Sequence, residues 1–254
     1  MRITVLGKSP AWQDAGGACS GYLVEADGCC LLLDCGNGVF AKLRAQRDLT
    51  QVQAVVISHL HADHFFDLVP YAYALTYSHA ARAAGSRPLL YVPPGGRETL
   101  RRITGAWDAE ELIEHAFDLH EYDSAQEVDL DPLRVGFHEV PHFIRTHAVR
   151  LRDVAGGGTF TYGADCRPND EIVAFARDSD LLLLEATLEQ PEEAGCRGHL
   201  TPTEAGEHAR RAGAGRLVLT HFSGDHDQAQ ARGEAERAFG GPVELAREGA
   251  TYTV

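Results

Sequence analysis

No apolar run in these 254 residues is long enough to cross a bilayer. The opening "MRITVLGKSP" has the pattern of a strand and then a loop, without the apolar stretch of a secretory signal. The expectation is a cytoplasmic protein with no membrane association. Basic residues are scarce: 23 Lys and Arg stand against 37 Asp and Glu, a net charge of −14. That disfavours a broad electrostatic grip on RNA or DNA, which needs a basic face. The cysteines, Cys19, Cys29, Cys30, Cys35, Cys166 and Cys196, contain no C-x-x-C pair. A zinc knuckle or dithiol redox site is therefore not expected, and reduced structural thiols are. Also missing are an internal repeat of short fixed period, a low-complexity segment and a clear linker. These absences point to one layered domain over residues 1–254, with 44% hydrophobic residues to fill its core.

What is present reads as strands with helices interspersed. "RITVLG" is β-rich, and "SGYLVEADGCCLLLDCG" predicts a hairpin turning at Asp27-Gly28. Cys29 and Cys30, adjacent in a strand, should point to opposite faces. "QAVVIS", "PLLYVP", "LRVGFHEVPHF", "HAVRLRDV", "TFTYGAD", "LLLLEAT" and "RLVLTHF" read as further strands. "GVFAKLRAQ", "GGRETLRRITGAW", "NDEIVAFARDSD" and a stretch from about Asp225 to Phe239 suit helices, and residues 107–131 are ambiguous. The stretch 72–85 reads as a packed or dimer-forming helix. "TPTEAGEHARRAG" carries full helix punctuation, with Thr201 as N-cap, Pro202 first in the helix, Glu204 as capping-box partner and Gly213 as the stop. The pattern fits an α/β fold with helices outside two packed sheets.

One loop needs more than packing to explain it. "SHLHADHFFD", residues 58–67, holds three histidines and two aspartates directly after an apolar run. Such groups are costly to desolvate unless something pairs with them. His59 and His61, one residue apart in extended chain, can point the same way, and Asp63 and His64 sit where the chain turns helical. Imidazole and carboxylate donors suit zinc, and also manganese or iron. His142, Asp165 and His221 each follow a strand-like run, where ligands collect at a sheet edge. His59, His61 and His142 would bind one cation, Asp63, His64 and His221 a second, and Asp165 could bridge them. A separation of about 3.5–4 Å would hold a hydroxide between the ions. His138 competes with His142, because strand alternation could turn either one inward.

"SHLHADH", with the later "GAD" and "LTHFS" and the "DCGNG" turn at 34–38, resembles the metallo-β-lactamase superfamily over essentially the whole chain. The resemblance implies a four-layer αββα sandwich with a dinuclear site at one edge, and an aspartate turn at 34 supporting it. His61 separates the chain from the diiron oxygen-reducing members. Asp165 in place of cysteine argues against a zinc β-lactamase of the commonest type. "LLLLEAT…GHLTPTEAG" before "THFS" is similar to the tRNase Z branch. That similarity implies phosphodiester cleavage, with His199 as the general acid that protonates the leaving oxygen. Glu185 would orient the His199 ring, and Asp63 would take the hydroxide proton. The chain departs from tRNase Z between His142 and Asp165, where two strands and "VAGGG" leave no room for the basic tRNA-clamping arm. "THFSGD" also lacks the Arg-Tyr continuation. It looks more like short, arm-less relatives that act as cyclic-nucleotide phosphodiesterases, with Phe143, Phe222 or Tyr22 as candidate base-stacking walls. The expected function is hydrolysis of a small phosphodiester with two divalent cations, zinc first. The alternatives are an endoribonuclease trimming RNA 3′ ends, a lactonase or thioesterase, and a non-catalytic metal-stabilised module.

Overall fold

The computed structural model describes residues 1–192 and 195–254. It begins with β1 (Arg2–Gly7), β2 (Gly21–Ala26) and β3 (Cys29–Leu33). β2 and β3 form the hairpin expected from Asp27-Gly28, both of which have positive φ, 35° and 86°. That handedness matches the twist of the strands it joins. There follow α1 (Val39–Gln46), β4 (Ala54–Val56), α2 (Ala62–Phe65), α3 (Leu68–Tyr77), α4 (His79–Ala84), β5 (Leu89–Val92), α5 (Gly96–Gly105), α6 (Leu112–Ala116) and β6 (Asp118–Glu121). The second half runs β7 (Val128–Leu130), β8 (Leu133–Val140), β9 (Thr146–Asp153), β10 (Thr159–Tyr162), α7 (Asp170–Phe175), β11 (Leu181–Glu185), α8 (Pro202–Ala212), β12 (Leu217–Thr220), α9 (Gln228–Phe239) and β13 (Val243–Leu245). β14 (Thr251–Thr253) returns to pair with β1. Among the described residues the two sheets have the orders β14-β1-β2-β3-β4-β5-β6 and β13-β12-β11-β10-β9-β8-β7.

Strand alternation assigns the side chains to three apolar layers. On β3, Cys29, Leu31 and Leu33 face the space between the sheets, while Cys30 and Leu32 face helices α1, α3 and α6. On β11, Leu181 and Leu183 face between the sheets, and Leu182 and Leu184 face α7 and α8. Strands apolar on both faces must be covered on both faces, so the architecture is the αββα sandwich. Each fully buried leucine contributes about 1.5–3 kcal/mol.

Local signals set several boundaries. The Thr201 hydroxyl accepts from the Glu204 N–H at 3.3 Å, the Glu204 carboxylate accepts from the Thr201 N–H at 2.9 Å, and Gly213 ends α8 at φ 68°. The expected helix at 72–85 is in fact two. Ser78 leaves helical geometry at ψ 142° and its hydroxyl caps α4, accepting from the Ala81 N–H. α9 starts later than its sequence pattern suggests, because the Asp227 carboxylate caps it by accepting from the N–H groups of Ala229 and Gln230. The ambiguous 107–131 stretch holds α6, β6 and β7. Among the described residues no helix is long and apolar enough to cross a membrane.

β3 and β4 are parallel, as are β10, β11 and β12, and β8 shares the latter direction through β9. The loops that leave the C-terminal ends of these strands therefore gather at one edge of the sandwich. The candidate site residues lie on them, except Glu185, which is the last residue of β11.

Candidate metal centre

After β4 the chain stays extended through His61 (ψ 144°) and enters α2 at Ala62. His59 and His61 thus leave extended backbone on one side, and Asp63 and His64 come from the first helical turn. His61 Nδ1 lies 3.2 Å from His59 Nε2 and 3.1 Å from His142 Nε2. Asp165 Oδ2 lies 3.7 Å from His59 Nε2 and 3.9 Å from His142 Nε2. Donors placed around a tetrahedral zinc ion at ~2.0–2.1 Å stand ~3.3–3.4 Å apart, so this spacing suits one cation. In the second group His221 Nε2 is 3.3 Å from His64 Nε2 and 3.1 Å from Asp63 Oδ2. Asp165 Oδ2 is 3.3 Å from His64 Nε2 and 3.4 Å from His221 Nε2. The sets His59–His61–His142–Asp165 and Asp63–His64–Asp165–His221 share the Asp165 carboxylate, and the donors of each set lie within 4.8 Å of one another.

The surrounding hydrogen bonds fix which nitrogen is free on four of the five rings. His64 Nδ1 donates to Asp34 Oδ2 at 2.8 Å. Ser58 Oγ donates to the same oxygen at 2.8 Å and accepts from His59 Nδ1 at 3.0 Å. His142 Nδ1 donates to the Gly198 carbonyl at 2.8 Å. Thr187 Oγ1 donates to Glu185 Oε2 at 2.5 Å and accepts from His221 Nδ1 at 2.8 Å. Four Nε2 lone pairs therefore converge with a shared carboxylate oxygen, an arrangement that is repulsive without positive charge between them. Asp165 Oδ1, buried beside them, has no hydrogen-bond partner among the described residues. The local electrostatics point the same way. Burial would raise the Asp165 carboxyl, yet His221, His64 and His59 hold it well below the usual carboxylate range. Burial opposes charge on His64, yet Asp165 and Asp34 hold its pKa well above the ordinary value. Burial, reinforced by neighbouring imidazoles, pushes His59 well down, and burial lowers His61 and His142. The donor set fits a pair of divalent cations.

The backbone is strained at the same place. Asp34, Ala164 and His221 all hold left-handed conformations, with φ of 57°, 52° and 54°. Such residues cost about 1–3 kcal/mol each and persist only where surrounding contacts dictate them. Asp34 shows what those contacts accomplish, since one carboxylate orients His64 directly and His59 through Ser58. Asp34→Asn keeps the shape but loses an acceptor for one of its donors. It is expected to weaken cation affinity about 10- to 100-fold, measured by chelator competition, and unchanged affinity would show that Asp34 does not set the ligand geometry.

Of the two competing histidines, the structure brings only His142 to the cluster. β8 ends at Val140, and the turn through Pro141 carries His142 inward. His138 lies on the outer face of β8, stacked on Phe175 of α7 with ring centroids 5.3 Å apart. His142→Ala should lower bound metal by elemental analysis and His138→Ala should not. The reverse result would move the ligand to His138.

His199 and Glu185 also meet here. Glu185 is fully buried, and its Oε1 accepts from His199 Nδ1 at 2.9 Å and from the Cys166 N–H at 2.8 Å. Burial works against protonation of His199, but the Glu185 carboxylate more than reverses this and raises its pKa to about 9. Cations nearby would bring that value down toward neutrality, where a proton donor works best. His199, Asp63 and His221 line an open cleft of about 380 Å³ together with Trp12 and Phe143. Of the candidate walls, Phe143 is exposed, whereas Tyr22 and Phe222 are buried, with the Tyr22 hydroxyl 2.7 Å from Thr220 Oγ1. Sequence reasoning missed Ser58 and Thr187, which set ring tautomers, and Trp12. For Thr187 the only signal was its place in "EAT".

Comparison with known proteins agrees with this geometry. Residues 30–222 match the beta-lactamase superfamily domain. The probable metallo-hydrolase YhfI of Bacillus subtilis is 32% identical, with 98% of each chain covered. The crystal structure of YhfI, described as a metallo-beta-lactamase fold protein, superposes with a TM-score of 0.88 over 99% of this chain and 98% of that one, at 28% identity. A ribonuclease Z of Myxococcus xanthus is 29% identical over 302 aligned positions, covering 99% of this chain and 97% of the relative. Yeast PDE1 shares the fold, with a TM-score of 0.74 at 13% identity and 98% coverage of both chains. With its histidine and aspartate cluster built as such a fold requires, the chain belongs to the metallo-β-lactamase superfamily, in the tRNase Z-like branch, and is a metallo-hydrolase.

Proposed function

We propose that residues 1–254 act as one catalytic domain that hydrolyses a small phosphodiester, a cyclic nucleotide foremost, with His199 as general acid. The observation that carries this is the Glu185–His199 pair beside the two donor sets. His199 Nδ1 is taken by Glu185 at 2.9 Å, which leaves Nε2 as the ring's free nitrogen at the cleft. A protonated Nε2 can deliver its proton to a departing alkoxide, and Glu185 both orients the ring and stabilises its charge. Asp63, also lining the cleft, would take a proton from the attacking water. Bound divalent cations, zinc foremost, held by His59, His61, His142, Asp165, Asp63, His64 and His221, would supply Lewis-acid charge and a water acidic enough to react at neutral pH.

Two features favour a small substrate over RNA. Among the described residues no Lys or Arg lines the cleft, whereas an RNA grip needs cations along the strand. Between His142 and Asp165 the chain is occupied by β9, β10 and a short turn. The alignment with the ribonuclease exceeds this chain's 254 residues, so that relative has inserted segments absent here. A thioesterase on the same scaffold would have little use for a proton donor such as His199, because a thiolate departs without a proton. The cysteines of the described residues are free, and all but Cys196 are buried, which suits a reducing, cytoplasmic setting. The test is hydrolysis of cyclic AMP, cyclic GMP, bis(p-nitrophenyl) phosphate, a precursor tRNA and a lactone, side by side with zinc and manganese. Turnover of the cyclic nucleotides with none of the tRNA is expected. Preference for the tRNA would establish the endoribonuclease instead.

A further inference from the structure

We infer that Trp12 and Phe143 form a subsite for the planar heterocycle of a nucleoside phosphodiester, an assignment of substrate class that rests on the phosphodiesterase reading above. Both are large aromatic side chains left open to solvent, Trp12 at 59% and Phe143 at 49%, and both line the cleft over Asp63, His199 and His221. They reach it from different sheets, Trp12 on the loop after β1 and Phe143 on the loop after β8.

Neither is a stray surface residue on a slack loop. The Trp12 loop is tied at its base to the loop that carries His221. Lys8 Nζ donates to Asp14 Oδ2 at 2.5 Å and to the Phe222 carbonyl at 3.0 Å, and Asp14 Oδ1 accepts from the Gly224 N–H at 2.9 Å. Phe143 is seated on backbone, since a Cβ at Gly198 would stand 2.2 Å from its ring. Its centroid is 4.9 Å from that of His142 and 5.9 Å from that of His199. The ring is thus backed by the site and still half exposed. Pinning two exposed aromatics beside a cluster of donors has no benefit for the core. It does give a ligand flat apolar surfaces next to the reacting atoms.

The rest of the lining narrows the ligand. With Pro10 and Ala11 as further apolar neighbours and no Lys or Arg among the described lining residues, the part of the substrate beyond the phosphate is held by dispersion and stacking. A nucleobase offers a π-face, and stacking on one aromatic side chain strengthens binding about 5- to 150-fold.

The test uses the metal-loaded full chain carrying Trp107→Phe, which leaves Trp12 as the sole indole, since the chain has 2 Trp. Adenosine monophosphate, ribose phosphate and hexyl phosphate are titrated by indole fluorescence and calorimetry. Adenosine monophosphate should bind about 5- to 150-fold more tightly than ribose phosphate and quench the indole. Trp12→Ala and Phe143→Leu should each remove much of that advantage, and Trp12→Phe should retain part of it. Equal affinity for the two phosphates, an equal advantage for hexyl phosphate, or an advantage untouched in Trp12→Ala would overturn the assignment. Binding and hydrolysis separate the two readings. Cyclic nucleotide turnover without a base-dependent affinity leaves the proposed function standing and removes the subsite. Base-dependent affinity lost in Trp12→Ala, without turnover of any phosphodiester, does the opposite.

Discussion

Asp165→Ala is expected to empty both cation positions and reduce hydrolysis by more than the 10²–10³-fold, roughly, that loss of one electrostatic contact costs an active site. The reason is geometric. Its Oδ2 lies 3.3–3.9 Å from Nε2 of His59, His64, His142 and His221, so it is the one anionic group common to both donor sets. Without it the imidazoles of the first set face one another with nothing to offset the charge of a divalent cation, since the other donors there are neutral. His59→Ala and His64→Ala should each remove a cation from one set only, and still lose nearly all hydrolysis if both ions act on one phosphate. Elemental analysis on protein shown to be folded by circular dichroism distinguishes these cases. Retention of two metals per chain in Asp165→Ala would mean that the carboxylate is not shared.

His199→Ala should keep its metals and its fold and lose about 10²–10⁴-fold in turnover of a substrate with a poor alkoxide leaving group, the usual size of a general-acid effect. On bis(p-nitrophenyl) phosphate the loss should be far smaller, because nitrophenolate departs without needing a proton. Glu185→Gln should show the same contrast more weakly, since Glu185 acts through the His199 ring. Equal losses on both substrates would leave His199 as a phosphate-binding or structural residue. They would also remove the main reason for preferring a phosphodiesterase to a thioesterase.

The parts of this site that were legible in the sequence are those whose chemistry is local. His59, His61, Asp63 and His64 fall in one loop, and a strand running into a helix gives them their directions. The layered fold was legible because strands such as Leu181–Glu185 are apolar on both faces. His142 was not separable from His138 by alternation alone, since the strand ends at Val140 and the turn at Pro141 breaks the register. Ser58 and Thr187 could not be found, because a hydroxyl that sets a tautomer looks in sequence like any other Ser or Thr. Trp12 was invisible for a different reason. Its position depends on Asp14 bonding Gly224, a contact 210 residues apart in the chain. The break at Ser78 has a local cause, a serine before "HAA" whose hydroxyl caps the next helix.

The central claim, that this centre cleaves a phosphodiester by attack of water on phosphorus, is tested most directly by phosphorus NMR of cyclic AMP incubated with the zinc-loaded protein in heavy-oxygen water. The expected result is a single monoester resonance carrying one heavy oxygen on phosphorus, absent with Asp165→Ala and much slower with His199→Ala. A metal-replete protein that leaves cyclic AMP and bis(p-nitrophenyl) phosphate intact while opening a lactone would contradict it.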